Sequence, residues 1–374
     1  MTTPPDALAG DPLPKGPLQG LRIVEFDAIG PTPLAAMILA DLGADVLRIA
    51  RASAGFFDNT GGAVLNRNRP HLGLDLKSPG DREHALALIE RADAVIEGLR
   101  PGVMERLGLG PDQAMARNPS LAYVRMTGWG QTGPLAPRAG HDLNYIALTG
   151  ALHAMGGADA PPPVPLNLVG DYGGGAMFAV VGLLSAVHSA RATGRGQVVD
   201  VAMTDGTAVL SSLFHALSAG GLWSPARGAN LLDGGAPFYR NYVCADGRHV
   251  AVGCLEPPFF AALIQGLALD FDLAAQYDQS RWPELADRLA RAFASAPRDH
   301  WTALFQTTDA CVTPVLDFAE AARHPHNADR RTLIEVEGVT QPAPAPRFSA
   351  TPAVVDPDRR AALDRDAALA RWSS

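Results

Sequence analysis

Hydrophobic and polar positions follow two periods along this chain. Short apolar runs rich in Val and Ile are bounded by Gly, Pro or Asp. Longer runs between them repeat apolar residues every three or four positions. The first short run, Leu21-Arg22-Ile23-Val24-Glu25-Phe26, reads as a strand. A turn through Gly30-Pro31 leads to a helix over Leu34–Leu42, stopped by Gly43. Asp45–Ile49 is a second strand. Strand, helix and strand make a βαβ unit, which implies a parallel sheet covered on both faces.

The pattern repeats. Leu72–Leu76 is a short strand, and Ser78-Pro79 caps a helix running to about Arg91. Ala94–Glu97 and Leu121–Met126 read as strands, with a helix over Pro111–Arg117. The apolar run from about Gly173 to Arg191 reads as a buried helix, followed by a strand at Val198–Met203 and a helix at Asp205–Leu217. Ala219–Gly235 is Gly-rich and suggests a crossover to a second unit. Tyr242–Cys244 and His249–Val252 flank a polar turn and form a hairpin signal. Residues 257–306 look mostly helical, Cys311–Leu316 is a strand, and Arg359–Trp372 is a terminal helix. The expected organisation is a flexible tail over 1–17, a large domain over 18–218, a linker over 219–241, a small domain over 242–330 and a C-terminal segment over 331–374. The fold class is α/β.

Composition narrows the function. An apolar share of 47% is ample for a sizeable core, and a formal net charge of −8 argues against a nucleic-acid or anionic-membrane partner. The three cysteines, Cys244, Cys254 and Cys311, lack metal-ligand spacing and fit free thiols in a reducing compartment. The N-terminus has no apolar core of a secretory signal, so the expected location is cytoplasmic. No unbroken apolar run reaches 18 residues, so no membrane span is expected. No metal site is expected either: His324-Pro325-His326 is the only close histidine pair and reads as a turn.

Candidate chemistry gathers in two places. The first turn, Asp27-Ala28-Ile29-Gly30-Pro31, lacks G-x-G-x-x-G, so dinucleotide binding is not expected. Yet cations follow successive strands: Arg51, Lys77 and Arg100, with Arg67, Arg69 and Arg106 nearby. Ligands of doubly wound sheets bind outside the carboxyl ends of strands. The set therefore suggests a phosphate-rich ligand; solvated surface charge is the alternative for any one of them. The second place is Gly140–Gly175, where His141, Asp142 and Asp171 stand beside glycines that would let a ligand approach the backbone. Asp171 would sit at a helix start beside free N–H groups. An imidazole and a carboxylate there make a plausible acid/base pair; a capping Asp and a loop histidine satisfied by its neighbours is the other reading. Met126, Met155, Met177 and Met203 suit an acyl pocket or the core. His153, His188 and His215 read as packed or surface residues.

With these residues in hand, the chain resembles the family III CoA-transferases from about Leu18 to Phe348, and within them the racemases of 2-methylacyl-CoA thioesters. The resemblance is carried by Leu42-Gly43-Ala44-Asp45-Val46, Arg67-Asn68-Arg69, Leu74-Asp75-Leu76-Lys77, Glu97-Gly98-Leu99-Arg100-Pro101-Gly102, Glu105-Arg106-Leu107-Gly108, Met126-Thr127-Gly128-Trp129-Gly130, Gly140-His141-Asp142-Leu143-Asn144-Tyr145 and Asp233-Gly234-Gly235-Ala236-Pro237-Phe238-Tyr239. It implies an acyl-CoA substrate and no cofactor beyond the coenzyme A of that substrate. It also implies a Rossmann-like large domain, a smaller α+β domain, a C-terminal return and an interlocked homodimer. CoA contacts are implied at Arg51, Leu74, Asp75, Leu76, Lys77, Gly98, Leu99, Arg100, Arg106, Gly140 and Tyr145. Asp171 looks like the nucleophile of the transferases. His141 is similar to one of the two bases of the racemases, with Asp171 as the other. The N–H of Asp142 is implied as the enolate's donor, Asn167 as a neighbour and Glu256 as the carboxylate that orients the histidine. Asp233-Gly234-Gly235-Ala236-Pro237 stands in place of the transferases' Gly-rich loop, and there are two departures from the family: residues 51–63 do not match closely, and the tail before Leu18 is extra.

Overall fold

A computed structural model describes residues 16–50 and 62–372. By backbone proximity these fall into two units. The first holds the described residues up to Ile146, Leu166–Leu210 and those from Asp329 onward; the second holds Ala147–Pro165 and Ser211–Ala328. The sequence boundaries placed 147–165 and 211–218 with the large domain. Backbone proximity groups both with the second unit, where Arg227 donates to the Ala158 carbonyl at 3.3 Å and His153 Nε2 meets the Pro225 carbonyl at 3.1 Å.

In the first unit the chain runs through β1 (Arg22–Phe26), α1 (Pro31–Asp41), β2 (Asp45–Ala50), α2 (Gly62–Leu65), β3 (His71–Gly73), α3 (Pro79–Ile89) and β4 (Ala94–Glu97). It continues through α4 (Val103–Arg106), α5 (Pro111–Arg117), β5 (Ala122–Thr127) and α6 (Asp142–Leu148). A π-helix (Leu168–Ala176) then leads into α7 (Met177–Thr193), β6 (Gln197–Ala202) and α8 (Met203–Leu210). All six strands are parallel, in the order β3-β2-β1-β4-β5-β6. That is the doubly wound arrangement, and the strand order reverses between β1 and β4. Side chains of β1 alternate between the two faces. Leu21 and Ile23 join Ala35, Leu39, Ala179 and Leu183 of α1 and α7. Val24 and Phe26 join Leu88 and Ile89 of α3 on the other face. The sequence patterning thus finds every strand of this sheet within a few residues.

Departures have local causes. β3 ends at Gly73, short of Leu76, because Asp75 starts a turn: its carbonyl accepts Ser78 N–H at 2.8 Å and its carboxylate accepts Lys77 N–H at 3.1 Å. The terminal helix is split. Arg365–Ala370 is helical, but Ala361–Leu363 lies along β3, where the Ala361 carbonyl accepts His71 N–H at 3.2 Å and the His71 carbonyl accepts Leu363 N–H at 2.8 Å. An edge strand's free backbone groups have captured the segment. With the π-helix, α7 forms a 26-residue helix long and apolar enough to cross a membrane. Its Ala179, Leu183, Ala186, Val187 and Ala190 are buried against the sheet, as in a core helix.

The second unit has an antiparallel sheet of β7 (Tyr239–Val243), β8 (His249–Gly253) and β9 (Val312–Pro314). Its longest helix, Trp282–Phe293, buries Trp282, Leu285, Leu289 and Phe293 on one stripe against Phe238 and Phe260.

Candidate active site

A cavity of about 570 Å³ opens at the carboxyl ends of the parallel strands. Asp27–Pro33 after β1, Gly98–Pro101 after β4, Thr127–Trp129 after β5 and Met203 after β6 line it. It therefore lies at the reversal point of strand order, where such folds bind ligands. His141, Asn167 and Asp171 face the same cavity.

His141 immediately precedes α6. Its carbonyl accepts Asn144 N–H at 2.8 Å, and its own N–H donates to Asn144 Oδ1 at 3.1 Å. The imidazole is exposed. Tyr145 anchors the helix below. It is buried edge-on to Trp129, ring centroids 4.7 Å apart, and donates its hydroxyl to the Gly140 carbonyl. Only glycine fits above it, since a Cβ on Gly128 would lie 2.0 Å from Tyr145 Cζ. Burial, then the Asp171 charge, push the Tyr145 hydroxyl up to about 12.

Asp171 lies in the first turn of the π-helix and is only part-buried. Asn167 Nδ2 donates to its Oδ2 at 3.3 Å. Burial holds its carboxyl above the usual carboxylate range; the Asn167 hydrogen bond and the His141 charge oppose this, and the Asp142 charge adds to it. The sequence suggested free N–H groups around Asp171. The N–H groups of Gly170 and Asp171 are instead both held at 2.7 Å by Asp142 Oδ2. The glycines after Asp171 also have a different role from the one expected. Gly174 is buried against α8, where a Cβ on Gly206 would lie 1.9 Å from the Gly174 carbonyl oxygen. They permit a close helix crossing and do not line the cavity.

The candidate cations separate. Arg100 lines the cavity. Arg67 and Arg69 are structural. Arg67 is buried, with its Nε 3.0 Å from Asp41 Oδ1 and its Nη1 2.9 Å from Gln341 Oε1. Arg69 pairs with Glu25, both side chains wholly buried. Arg106 and Lys77 are exposed but not on the cavity wall, and Leu74 and Leu76 pack in the core beneath β3. Asp75 holds the turn described above. Gly98, Leu99, Gly140 and Tyr145 are on the wall. Arg51 lies outside the described residues. Glu256, in the second unit, is exposed at the N-cap of the helix Pro257–Gly266, with no side-chain capping bond. The sequence reading passed over Arg138, which lines the cavity beside Gly140. A single Arg in a polar loop carries no periodic signal.

Glu97 sets the wall after β4. One carboxylate oxygen accepts Leu99 N–H at 2.7 Å and the other accepts Arg125 Nε at 3.0 Å. Arg125 also grips Glu105 at 2.7 Å.

The strand order defines a doubly wound α/β protein, with an imidazole and a carboxylate, His141 and Asp171, on one cavity at the strand ends. The chain belongs to CoA-transferase family III, whose pattern it matches over residues 18–362. It is 44% identical over 339 residues to an alpha-methylacyl-CoA racemase of Mus musculus, covering 90% of this chain and 88% of that protein. It is 34% identical over 351 residues to an acetyl-CoA:oxalate CoA-transferase of Acetobacter aceti, covering 88% of each. A crystal structure of a CAIB/BAIF family protein from Brucella suis superposes with a TM-score of 0.77 at 25% identity, over 96% of this chain and 98% of that one.

Proposed function

We propose that this protein is a racemase that interconverts (R)- and (S)-2-methylacyl-CoA thioesters by moving the C2 proton. The observation that carries the reading is the placement of His141 and Asp171 on one cavity. The 44% identity to a racemase supports the reaction.

One base takes the proton from C2, leaving an enolate delocalised onto the thioester oxygen. The other base, already protonated, delivers its proton to the opposite face. Its partner leaves the cycle protonated, so the pair is ready for the reverse direction. An imidazole can act either way near neutral pH. A carboxyl held above its usual range is brought towards the same task. Asn167 orients Asp171. The Asp142 N–H, in the first turn of α6 where N–H groups lack intrahelical partners, is the donor for the enolate oxygen.

Arg100 and Arg138 at the cavity, with Arg51, Lys77 and Arg106, supply charge for the CoA phosphates, and no cofactor beyond that CoA is needed. An interlocked homodimer, in which the partner subunit's Glu256 orients His141, and a cytoplasmic location complete the proposal.

The second reading is a CoA-transferase, favoured by the similarity to the Acetobacter aceti enzyme. There the Asp171 carboxylate attacks the thioester carbonyl, a C–O bond forms, the C–S bond breaks and CoA leaves as thiolate. Solvent deuterium separates the two. The racemase incorporates deuterium at C2 with no acceptor acid added. A transferase shows no such wash-in, moves CoA to an added acid and is trapped by hydroxylamine.

A further inference from the structure

The His141–Asp171 pair is assembled from segments about thirty positions apart in the chain, yet one buried residue is bonded to both. Asp142 follows His141 directly. The residue is 5% exposed, and its Oδ2 accepts the N–H of Gly170 and of Asp171, each at 2.7 Å. Oδ1 is buried without a hydrogen-bond partner among the described residues. There is no slack at this contact, since a Cβ on Gly170 would stand 2.8 Å from Oδ2.

We infer that the Asp142 side chain is the positioning residue of the proton-transfer pair, joined to one base by a peptide bond and to the other by a hydrogen bond. This is distinct from the part its backbone N–H takes in the proposed reaction, and it rests on the racemase reading only for its catalytic consequence.

First, the two bonds are charge-assisted and carry roughly twice the strength of neutral ones. They fix the start of the π-helix, where backbone N–H groups have no partner within the helix. Asp171 therefore inherits its position from α6. Second, two bases must flank one carbon at a set separation, and a displacement of about 1 Å can cost about 10²-fold in rate. A tether from one base to the other's backbone is a direct way to hold that separation. Third, the buried Asp142 charge adds to the upward push on the Asp171 carboxyl. Other groups share that field. His141, Tyr145 of α6 and Asn167 stand beside Asp171, and Arg100 and Arg138 line the same cavity. Asp27 on the cavity wall is paired with Arg48 at 3.2 Å.

Two variants and two measurements test the inference. Asp142→Ala removes the acceptor, while Asp142→Asn keeps a neutral one. Amide hydrogen exchange of the segment 168–176, followed by mass spectrometry, should be fastest in Asp142→Ala, intermediate in Asp142→Asn and slowest in the unaltered protein. C2 deuterium exchange should show kcat falling in the same order, by about 10²-fold in Asp142→Ala, with KM for the thioester within a factor of about three. In Asp142→Asn the acid limb of the kcat profile should move to lower pH, which a merely structural residue would not produce. Amide exchange equal in all three proteins overturns the inference whatever the reaction. If Asp142→Ala does not fold, an Asp142→Asn protein with unaltered segment exchange, kcat and acid limb overturns it equally. An unaltered protein that shows no C2 exchange at all removes the racemase reading, and the segment measurement then decides the positioning role alone.

Discussion

The Asp171 carboxylate oxygen lies 3.4 Å from the point where a Cβ on Gly30 would stand. Gly30 ends the turn after β1 with φ 78°, a conformation side chains rarely adopt. Gly30→Ala is expected to cost about 1 kcal/mol in stability and to crowd the carboxylate. Its kcat should fall well below that of Gly133→Ala, another glycine with positive φ but with open space at its Cβ position. Equal kcat in the two variants would show that the Gly30 approach to Asp171 is unimportant.

Asp171 also carries a stability cost. Burial, with the Asp142 charge, holds its carboxyl above the usual range, so the folded chain keeps this proton more tightly than the unfolded chain does. Its contribution to stability is complete below the unfolded value of about 3.9 and is lost as pH rises through the higher folded value. Asp171→Asn should therefore raise Tm at pH 7.5, and the gain should shrink as pH falls towards the unfolded value of about 3.9. A gain of the same size at both pH values contradicts this cause.

Arg69→Met leaves the wholly buried Glu25 carboxylate without its cation. Breaking a buried pair from one side costs about 3–5 kcal/mol. Arg69 also donates to the Leu65 carbonyl and to Asn66 Oδ1, so the cavity-lining residues Leu65 and Asn66 lose their support. The double variant Glu25→Leu/Arg69→Met should lose less than the single one, because no buried charge is stranded. Denaturant midpoints of the three proteins check the order.

Arg100→Ala and Arg138→Ala should each raise KM for a CoA thioester about tenfold or more while changing kcat less, since a bond to a charged group contributes about 1.5–3 kcal/mol in ground and transition state alike. The effect should shrink at high salt. Unchanged KM in both variants would remove these cations from the binding site.

The parallel sheet was legible because strands buried on both faces leave unbroken apolar runs such as Val46-Leu47 and Val95-Ile96. His141 and Asp171 were legible because glycines frame them. The partners of Arg67 and Arg69 were not. Both arginines lie near strand ends, as phosphate ligands do, and nothing local shows that Asp41 and Glu25 wait for them across the fold. The hairpin Leu333–Val336 with Val339–Pro342 was missed because its turn, Glu337-Gly338, puts a glutamate at φ 51° where Asn or Asp is usual. Asp142 was read through its backbone N–H, since the reach of its carboxylate to residues 170 and 171 is a matter of packing between distant segments.

In the proposed racemase, His141 and Asp171 serve opposite faces of C2. Each pure enantiomer of a 2-methylacyl-CoA should be incubated in deuterium oxide with His141→Ala and with Asp171→Asn, and exchange at C2 followed by NMR. Each variant should lose net inversion yet still exchange one enantiomer, and the enantiomer should differ between the two. Symmetric loss of exchange from both enantiomers in Asp171→Asn, with exchange equally absent in His141→Ala, would contradict the two-base mechanism and favour Asp171 as a nucleophile.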